Sequence, residues 1–346
     1  MSNAQTQVQY VRLGKSGLRV SVPIFGAMSL GSSKWLSWAL DEDEALQVLK
    51  SAWDRGINTF DTANVYSNGE SERVLGKFIE TNKIPRSEIL ILTKCYGLVT
   101  KDLSINAFLR PELQDTREYV NQAGLSRAAI FNAVEASLSR LNTTYIDLLQ
   151  IHRLDPNVEP EEMMKALHDL VQSGKVRYLG ASSMRAWQFA MLNEIAEKKG
   201  WTKFVSMQNE YSLLYREEER EMNAYCNYNG IGLIPWSPNA GGLLARPLGE
   251  ATARSESSKG TRHEQRTSKA DQLIINRVQE IAEKRGKTMA QIASAWVKAK
   301  TTSPIVGLAS MKRVEEAVGI NGLVLTEEEM KYLEEPYEPK VVRGHA

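Results

Sequence analysis

The sequence has few cysteines, and it lacks the spacings that cysteine chemistry needs. Only Cys95 and Cys226 occur among 346 residues, far apart and outside any C-x-x-C or C-x-x-H pattern. Neither a disulfide framework nor a zinc site is therefore expected, and no other metal site is predicted. We predict that both are buried, reduced thiols. The alternative for Cys95, which follows Lys94, is a reactive thiolate.

Long apolar runs and an excess of charge are also missing. No stretch reaches the ~18 to 20 apolar residues that a membrane helix needs, and residues 1–9 are too polar for a secretory signal. The 43 basic and 42 acidic side chains nearly cancel, which argues against partners such as nucleic acid or acidic membranes. With 42% hydrophobic residues the composition is that of a globular protein. We expect a cytoplasmic protein with a small-molecule partner, and we predict no particular oligomeric state.

Apolar runs of strand length alternate with segments of helical spacing along most of the chain. Residues 8–22 alternate apolar and polar side chains around Lys15-Ser16-Gly17, which predicts a β-hairpin that closes one end of the fold. Eight β/α units follow. Their predicted strands are 23–28, 57–60, 89–93, 146–151, 176–180, 204–207, 232–235 and 304–306, and their predicted helices are 41–55, 72–79, 127–141, 161–171, 185–198, 217–228, 271–284, 288–300 and 311–318.

Eight such units in one chain predict an α/β fold of the (β/α)8 TIM-barrel class, built as a single domain over residues 1–346. An open doubly wound sheet is the alternative. It is disfavoured because no G-x-G-x-x-G follows the first predicted strand.

Two connections are too long to serve only as links. Residues 96–122 follow the third strand and residues 237–270 follow the seventh, so both should emerge at the C-terminal face of the barrel. The second contains Gly241-Gly242 and a polar run, which favours a mobile lid, although for residues 255–266 alone a disordered surface segment is favoured. Thr326, followed by three glutamates, predicts the start of a helix. The C-terminal segment 326–346 is expected to fold over the barrel mouth.

Ionisable side chains follow three consecutive predicted strands. Asp61, Lys94 and His152 lie just past the second, third and fourth strands, and Tyr66 lies in the loop after Asp61. Alone, each has an ordinary explanation, such as a helix cap, a solvated lysine or a structural histidine. Side chains at these strand ends point into the catalytic mouth of a barrel, so together they predict one site.

These four side chains suit proton donation to an oxygen atom. Tyrosine is a poor acid near neutral pH unless a cation stabilises its phenolate. Lys94 would supply that charge, Asp61 would hold the lysine, and His152 would donate a hydrogen bond to a substrate carbonyl oxygen. Carbonyl reduction needs such a site, because the oxygen becomes negative as hydride reaches the carbon. The hydride has to come from a cofactor.

The same residues stand in motifs that resemble the aldo-keto reductase superfamily over nearly the whole chain. The resemblance implies a (β/α)8 barrel that binds an extended nicotinamide dinucleotide without a Rossmann fold, and the family's catalytic tetrad matches Asp61, Tyr66, Lys94 and His152. The motifs are Gly56-Ile57-Asn58-Thr59-Phe60-Asp61-Thr62-Ala63 with Tyr66, Leu92-Thr93-Lys94, Asp147-Leu148-Leu149-Gln150-Ile151-His152, Gly180-Ala181-Ser182-Ser183, Gln208-Asn209-Glu210-Tyr211 and Pro304-Ile305-Val306-Gly307.

The resemblance also implies which residues hold the cofactor. Ser182, Ser183 and Gln208 match residues on the nicotinamide carboxamide, although Ser183 stands where the family often has Asn, and Trp236 would stack on the ring. For Trp236 the alternative is core packing. Arg313, beside Lys312, is the cation left for a 2′-phosphate, so NADP(H) is favoured over NAD(H). The remaining expected contacts are Ser237, Gly241, Leu243, Arg246, Gly307, Ser310 and Glu316, with a plain surface arginine as the alternative for Arg246.

The most similar subgroup is that of fungal aryl-alcohol-dehydrogenase-like and versiconal-reductase-like members, some of which act in secondary metabolism. This favours an aromatic or polyketide-derived aldehyde or ketone, in a mouth that Trp35, Trp38, Tyr96 and Trp236 would line. We predict an NADPH-dependent reductase with Tyr66 as the general acid. One alternative is a cofactor-binding regulatory protein like the potassium-channel β-subunits. A hydrolase is disfavoured because it would need paired carboxylates or metal ligands at the strand ends.

Overall fold

The computed structural model describes residues 8–250, 256–257 and 267–345. In this part of the chain a two-stranded antiparallel hairpin precedes a parallel sheet of eight strands, with helices between them. The hairpin strands are β1 (Gln9–Arg12) and β2 (Arg19–Val22), and the sheet strands are β3 (Ile24–Gly26), β4 (Thr59–Asp61), β5 (Leu90–Cys95), β6 (Ile146–Ile151), β7 (Val176–Ser182), β8 (Phe204–Gln208), β9 (Gly232–Leu233) and β10 (Ile305–Gly307). The α-helices are α1 (Glu42–Asp54), α2 (Glu70–Thr81), α3 (Arg127–Leu141), α4 (Pro160–Gln172), α5 (Ala186–Lys199), α6 (Met222–Asn229), α7 (Lys269–Arg285), α8 (Met289–Lys300), α9 (Met311–Val318) and α10 (Glu327–Glu334).

The eight parallel strands follow one another in chain order around a curled sheet. Each strand from β3 to β8 pairs with the next, and β10 pairs with β3. Between the last two strands Trp236 forms a bridge with Ile305, and the Ile305 amide donates to the Pro235 carbonyl at 2.9 Å. These bonds bring the two edges of the sheet together. The (β/α)8 class predicted from the sequence is confirmed.

The hairpin closes the N-terminal end of the barrel. Leu13 and Val20 are fully buried and belong to one apolar cluster with side chains of the sheet, including Leu92 and Leu148. The Lys15 amide donates to the Gly230 carbonyl, just ahead of β9, at 2.7 Å. Because this end of the barrel is filled, the opposite end, where the strands finish, is the one left for a site.

The helices cover the outer face of the sheet through their apolar sides. Leu49 of α1 and Phe78 of α2 lie in one buried cluster with Phe60 of β4, and on another side Phe189 of α5 packs on Phe204 of β8 with ring centroids 5.5 Å apart. Burial of apolar surface at about 25 cal/mol per Å² makes this layer the main stabilising contribution. It also fixes the strand ends that carry the site.

Most predicted element boundaries agree with the structure to within two residues, and the sixth helix is the exception. The prediction of a helix over 217–228 was wrong at its start, because a 3-10 turn (Glu217–Glu219) comes first and α6 begins at Met222. Glu221 between them has a φ of −142°. Glu217 and Glu218 are buried and bonded to other side chains, so tertiary contacts outweigh the local helix preference.

The described parts of the two long connections contain short turns. Residues 96–122 contain the short 3-10 turns Ala107–Leu109 and Pro111–Asp115. After β9, Gly241 and Gly242 have φ values of 62° and 103°, which a residue without a side chain adopts readily. The predicted disorder over 255–266 falls outside the described residues apart from 256–257, so it stays a prediction, as does the lid.

The C-terminal segment lies over the ends of the last strands. As predicted, α10 starts after Thr326, whose hydroxyl accepts a hydrogen bond from the amide three residues on. Further along, Lys340 Nζ lies 2.5 Å from Asp271 Oδ1, and the Arg343 guanidinium binds both oxygens of Glu210 at 2.7 and 3.0 Å. The tail is therefore held at the barrel mouth by ionic contacts.

Candidate active site

A buried ion pair forms the centre of the candidate site. Asp61 is the last residue of β4, and Lys94 is the last but one of β5, so both belong to strands that run further than predicted. Lys94 Nζ lies 2.5 Å from Asp61 Oδ1, and both side chains are almost fully buried. Burial alone would lower the pKa of Lys94, but the Asp61 carboxylate and the Tyr66 oxygen raise it overall. The lysine is therefore charged.

Tyr66 reaches this ammonium group from the loop after β4. Lys94 Nζ donates to the Tyr66 hydroxyl at 3.3 Å and to the Thr62 carbonyl at 2.9 Å. The next two residues, Ser67 and Asn68, have φ values of 50° and 52°, so the loop turns sharply and returns Tyr66 to the strand ends. A cation at this distance stabilises negative charge that develops on the phenol oxygen.

His152 follows β6 and presents its ring to Tyr66 edge-on, with ring centroids 5.9 Å apart. Burial, and then the charges of Lys94 and Arg153, lower the pKa of His152 well below its ordinary value. The imidazole is therefore neutral near pH 7. Its Nδ1 atom is buried and has no hydrogen-bond partner among the residues described, whereas Nε2 is not among the buried atoms that lack a partner.

Two glutamines complete the surroundings of Asp61, and only one of them, Gln208, was predicted from the sequence as a site residue. Gln150 and Gln208 both donate from Nε2 to Asp61 Oδ2, at 2.9 and 2.8 Å. Gln150 lies two residues before His152 near the end of β6, and alternate residues of a strand share a face. A glutamine in an otherwise apolar strand end was the signal that could have identified it.

The residues assigned to the nicotinamide lie together beside this centre. Ser182 Oγ donates to the Gln208 carbonyl at 2.7 Å, and Trp236 Nε1 donates to Ser183 Oγ at 3.3 Å. Ser183 has a φ of 49°, an uncommon conformation for a residue with a side chain. Its amide donates to Asn209 Oδ1 at 2.8 Å, which holds the turn. Asn209 had no assigned role.

Asn209 connects this turn to the C-terminal tail. Its Nδ2 donates to Glu218 Oε2 at 2.6 Å, and His345 Nε2 lies 3.7 Å from Glu218 Oε1. Burial, with smaller contributions from Glu210 and Glu217, raises the pKa of Glu218 to about 7, although the bond from Asn209 opposes the change. A carboxyl group that titrates near neutral pH therefore lies two hydrogen bonds from Ser183.

A cavity of about 210 Å³ opens between β10, α9 and the turn after β9. Burial, and then the positive charge of Arg313, lower the pKa of Arg246, so the two guanidinium groups are close. Neither forms an ion pair with any of the described residues. Two adjacent cations beside a glycine turn suit a ligand rich in phosphate oxygens. The assigned residues that line the cavity are Ser237, Gly241, Arg246, Gly307, Arg313 and Glu316.

Apart from the four residues assigned to the nicotinamide, two assigned residues lie outside that lining. Leu243 packs against the apolar cluster of α7 and α8. Ser310 accepts a hydrogen bond from the Arg313 amide at 3.3 Å, so it caps α9 and fixes Arg313 in the first turn. In contrast, Asn239 and Ser294 do line the cavity and bond to each other at 3.2 Å. Ser294 is on α8, and nothing in its local sequence indicates this position.

The other expected features of the mouth differ in exposure. Trp35 is almost fully buried, whereas Trp38, Tyr96 and Trp236 are partly exposed.

Cys95 and Cys226 are buried free thiols, and burial raises the pKa of each to about 12, so both behave as packing residues. Within the described ranges there is no cluster of His, Cys, Asp or Glu that could hold a metal ion, nor a helix long and apolar enough to span a bilayer.

Comparisons with known proteins agree with the geometry. Residues 24–338 match the model of the aldo/keto reductase family. The chain is 54% identical over 353 residues to aldo-keto reductase dtxS3 of Metarhizium robertsii, covering 100% of this chain and 95% of that protein. It is 49% identical over 339 residues to versiconal hemiacetal acetate reductase of Aspergillus parasiticus, covering 97% and 98%. It is 51% identical over 344 residues to a putative aryl-alcohol dehydrogenase of Schizosaccharomyces pombe, covering 97% of each. The resemblance stated from the sequence is confirmed.

Proposed function

Because the chain belongs to the aldo/keto reductase family, we propose that it reduces an aldehyde or ketone to the alcohol with NADPH. Family membership and the reductases among its relatives make it an oxidoreductase. The observation that carries the proposal is the position of the Tyr66 hydroxyl, 3.3 Å from a buried ammonium group. A phenol placed in this way is an acid for an oxygen that gains negative charge.

Each of the four proposed catalytic side chains has its own role in protonating the substrate oxygen. Tyr66 donates its proton to the substrate oxygen, and Lys94 stabilises the phenolate left behind. Asp61 holds Lys94 at 2.5 Å and keeps it charged. His152 is neutral, so it orients and polarises the carbonyl by donating a hydrogen bond and does not compete with Tyr66 as the acid. When bound, the reduced nicotinamide supplies the hydride for the carbonyl carbon.

We propose that the cofactor is NADP(H) rather than NAD(H). Ser182, Ser183, Gln208 and Trp236 would hold the nicotinamide end, and the cavity that Arg246 and Arg313 line would take the phosphates. The lowered pKa of Arg246 beside Arg313 supports this assignment, because two adjacent cations gain most from a ligand with an additional phosphate.

We propose an aromatic or polyketide-derived carbonyl compound as the substrate. One relative is named for versiconal hemiacetal acetate and another for aryl alcohols. The aromatic side chains predicted to line the mouth include Trp38, Tyr96 and Trp236, which are partly exposed, and such a lining suits flat apolar ligands.

The test combines cofactor binding with turnover. Quenching of tryptophan fluorescence by NADPH and NADH measures the two affinities, and oxidation of NADPH against a panel of aromatic aldehydes and ketones measures turnover. Tyr66→Phe should bind NADPH like the wild type and lose about 10²- to 10⁴-fold in kcat. Tyr228→Phe, at a tyrosine that is 88% exposed, is the matched control.

Undiminished reduction by Tyr66→Phe would contradict the assignment of the acid. Tight NADPH binding by the wild type without turnover of any carbonyl compound would favour a regulatory protein instead. Equal affinity for the two nucleotides would contradict the preference for NADP(H).

A further inference from the structure

The arginine that follows His152 has no part in the proton transfer described above. Arg153 lies just after β6, at the same end of the barrel as Lys94. Its Nη1 donates to the His152 carbonyl at 2.5 Å, which anchors the partly buried guanidinium at the mouth. Burial lowers the pKa of Arg153, while electrostatic interactions with Tyr66 and Tyr96 oppose that change. The cation therefore lies within electrostatic reach of the proposed proton donor.

The acidic side chains near Arg153 are committed to other partners. The Glu210 carboxylate accepts two hydrogen bonds from Arg343, at 2.7 and 3.0 Å. Both oxygens of Asp155 accept backbone amides, at 2.9 and 3.0 Å. Among the residues that the structure describes, Arg153 forms no ion pair. A cation beside the reaction centre is thus left without a carboxylate of its own.

Most N–H donors of the Arg153 guanidinium have no partner among the described residues. Of its five N–H groups, the bond to the His152 carbonyl uses one. None of its nitrogens is among the buried atoms that lack a partner, so the donors without a protein partner are accessible to solvent or to a ligand. Partial burial of an unpaired charge costs free energy. A planar carboxylate offsets that cost best, because it accepts two parallel N–H bonds from one guanidinium.

We propose that Arg153 binds a carboxylate of the substrate, so that the natural substrate is an oxo acid. This narrows the substrate class of the reductase proposed above and rests on that function. Arg153 is bonded to the backbone of His152, and its charge interacts with Tyr66. A carboxylate on Arg153 would therefore lie within a few bonds of the carbonyl that Tyr66 protonates, and it would fix which end of the molecule enters first.

The test uses substrate pairs in which a carboxylate is replaced by its uncharged methyl ester, and the change in the acid-to-ester ratio between variants cancels the difference in intrinsic reactivity within each pair. Phenylglyoxylate and its methyl ester place the carboxyl group next to the carbonyl, and 4-carboxybenzaldehyde and its methyl ester place it across the ring. In at least the first pair, the wild type should have a higher kcat/KM for the acid than for its methyl ester. Arg153→Met keeps much of the apolar stem and should reduce the acid-to-ester ratio of kcat/KM by about 10- to 100-fold. Arg153→Lys should have an acid-to-ester ratio between those of Arg153→Met and the wild type, because it keeps the positive charge but lacks the two parallel N–H donors of the guanidinium.

The matched control is Arg12→Met, which removes one exposed arginine from the hairpin at the other end of the barrel. It should leave the acid-to-ester ratio as in the wild type. A wild-type ratio at or below one for both pairs would overturn the proposal, and so would a ratio that survives Arg153→Met.

A binding measurement separates this proposal from the reductase function itself. Phenylacetate, a carboxylate with no reducible carbonyl, is titrated into the protein saturated with NADP⁺ and followed by tryptophan fluorescence. Its Kd should rise at least about 10-fold in Arg153→Met, and equal Kd values would overturn the proposal. If the wild type reduces no carbonyl compound, the proposed function fails, while this titration still decides whether Arg153 binds a carboxylate.

Discussion

The buried Glu218 should give the fold a pH dependence that can be measured directly. Burial raises the pKa of its carboxyl group from 4.5 to about 7. The folded protein therefore binds this proton more tightly than the unfolded chain does. The contribution of this proton to the unfolding free energy is fully present below pH 4.5 and is lost as the pH rises through 7. His345 does not share this window, since burial, with Arg185 and Arg153, lowers its pKa to about 4.

The size of the effect follows from the two pKa values. A change from 4.5 to about 7 corresponds to about 3 kcal/mol of unfolding free energy. In Glu218→Gln the amide has nearly the same shape, and its oxygen can still accept the hydrogen bond from Asn209, but it does not titrate. Between pH 5 and pH 8, the unfolding free energy of the variant relative to the wild type should therefore rise by about 2 to 3 kcal/mol.

Urea unfolding followed by tryptophan fluorescence measures this difference at both pH values. Glu44→Gln, at an exposed glutamate of α1, is the control and should change the unfolding free energy equally at both. If the difference between Glu218→Gln and the wild type is the same at pH 5 and pH 8, the carboxyl group is not held as the structure indicates and the reasoning is refuted.

Two further predictions concern the centre of the site. Lys94→Met should lower the unfolding free energy by about 3 to 5 kcal/mol in urea titrations, because it leaves the Asp61 charge buried without its partner, and a loss below 1 kcal/mol would contradict a charged buried pair. The pKa of His152 lies well below its ordinary value, so kcat/KM should not fall between pH 8 and pH 6 through protonation of this ring. A decline with a midpoint near 6.5 that disappears in His152→Gln would contradict that state.

The grouping of Asp61, Tyr66, Lys94 and His152 could be predicted from the sequence because it depends on local pattern. Asp61, Lys94 and His152 each stand at the end of an apolar strand, and a parallel barrel brings all such ends to one face. No knowledge of helix packing is needed for that step. The structure places Lys94 against both Asp61 and Tyr66, which is the contact that the strand positions alone predicted.

The parts that could not be predicted depend on contacts between distant segments. The bond from Asn209 to Glu218 joins two different segments, and Glu218 lies in a 3-10 turn rather than in the helix that was expected to start at residue 217. Side-chain charge gave no indication that Glu218 would be buried, because glutamates in a polar run are normally solvated. The partner of Glu210 is Arg343, 133 positions away, and no spacing rule covers that separation.

The tail contact also explains why Arg153 is available to a ligand. Glu210 is the acid whose charge interacts with Arg153, and with no other partner it could neutralise that cation. Arg343 instead occupies both oxygens of Glu210. A carboxylate that already accepts two charge-assisted bonds attracts a second cation less, so the guanidinium of Arg153 stays free for an anion in the mouth. The contact between Glu210 and Arg343, which are 133 positions apart, therefore leaves Arg153, the residue proposed to bind the substrate carboxylate, without an acidic partner.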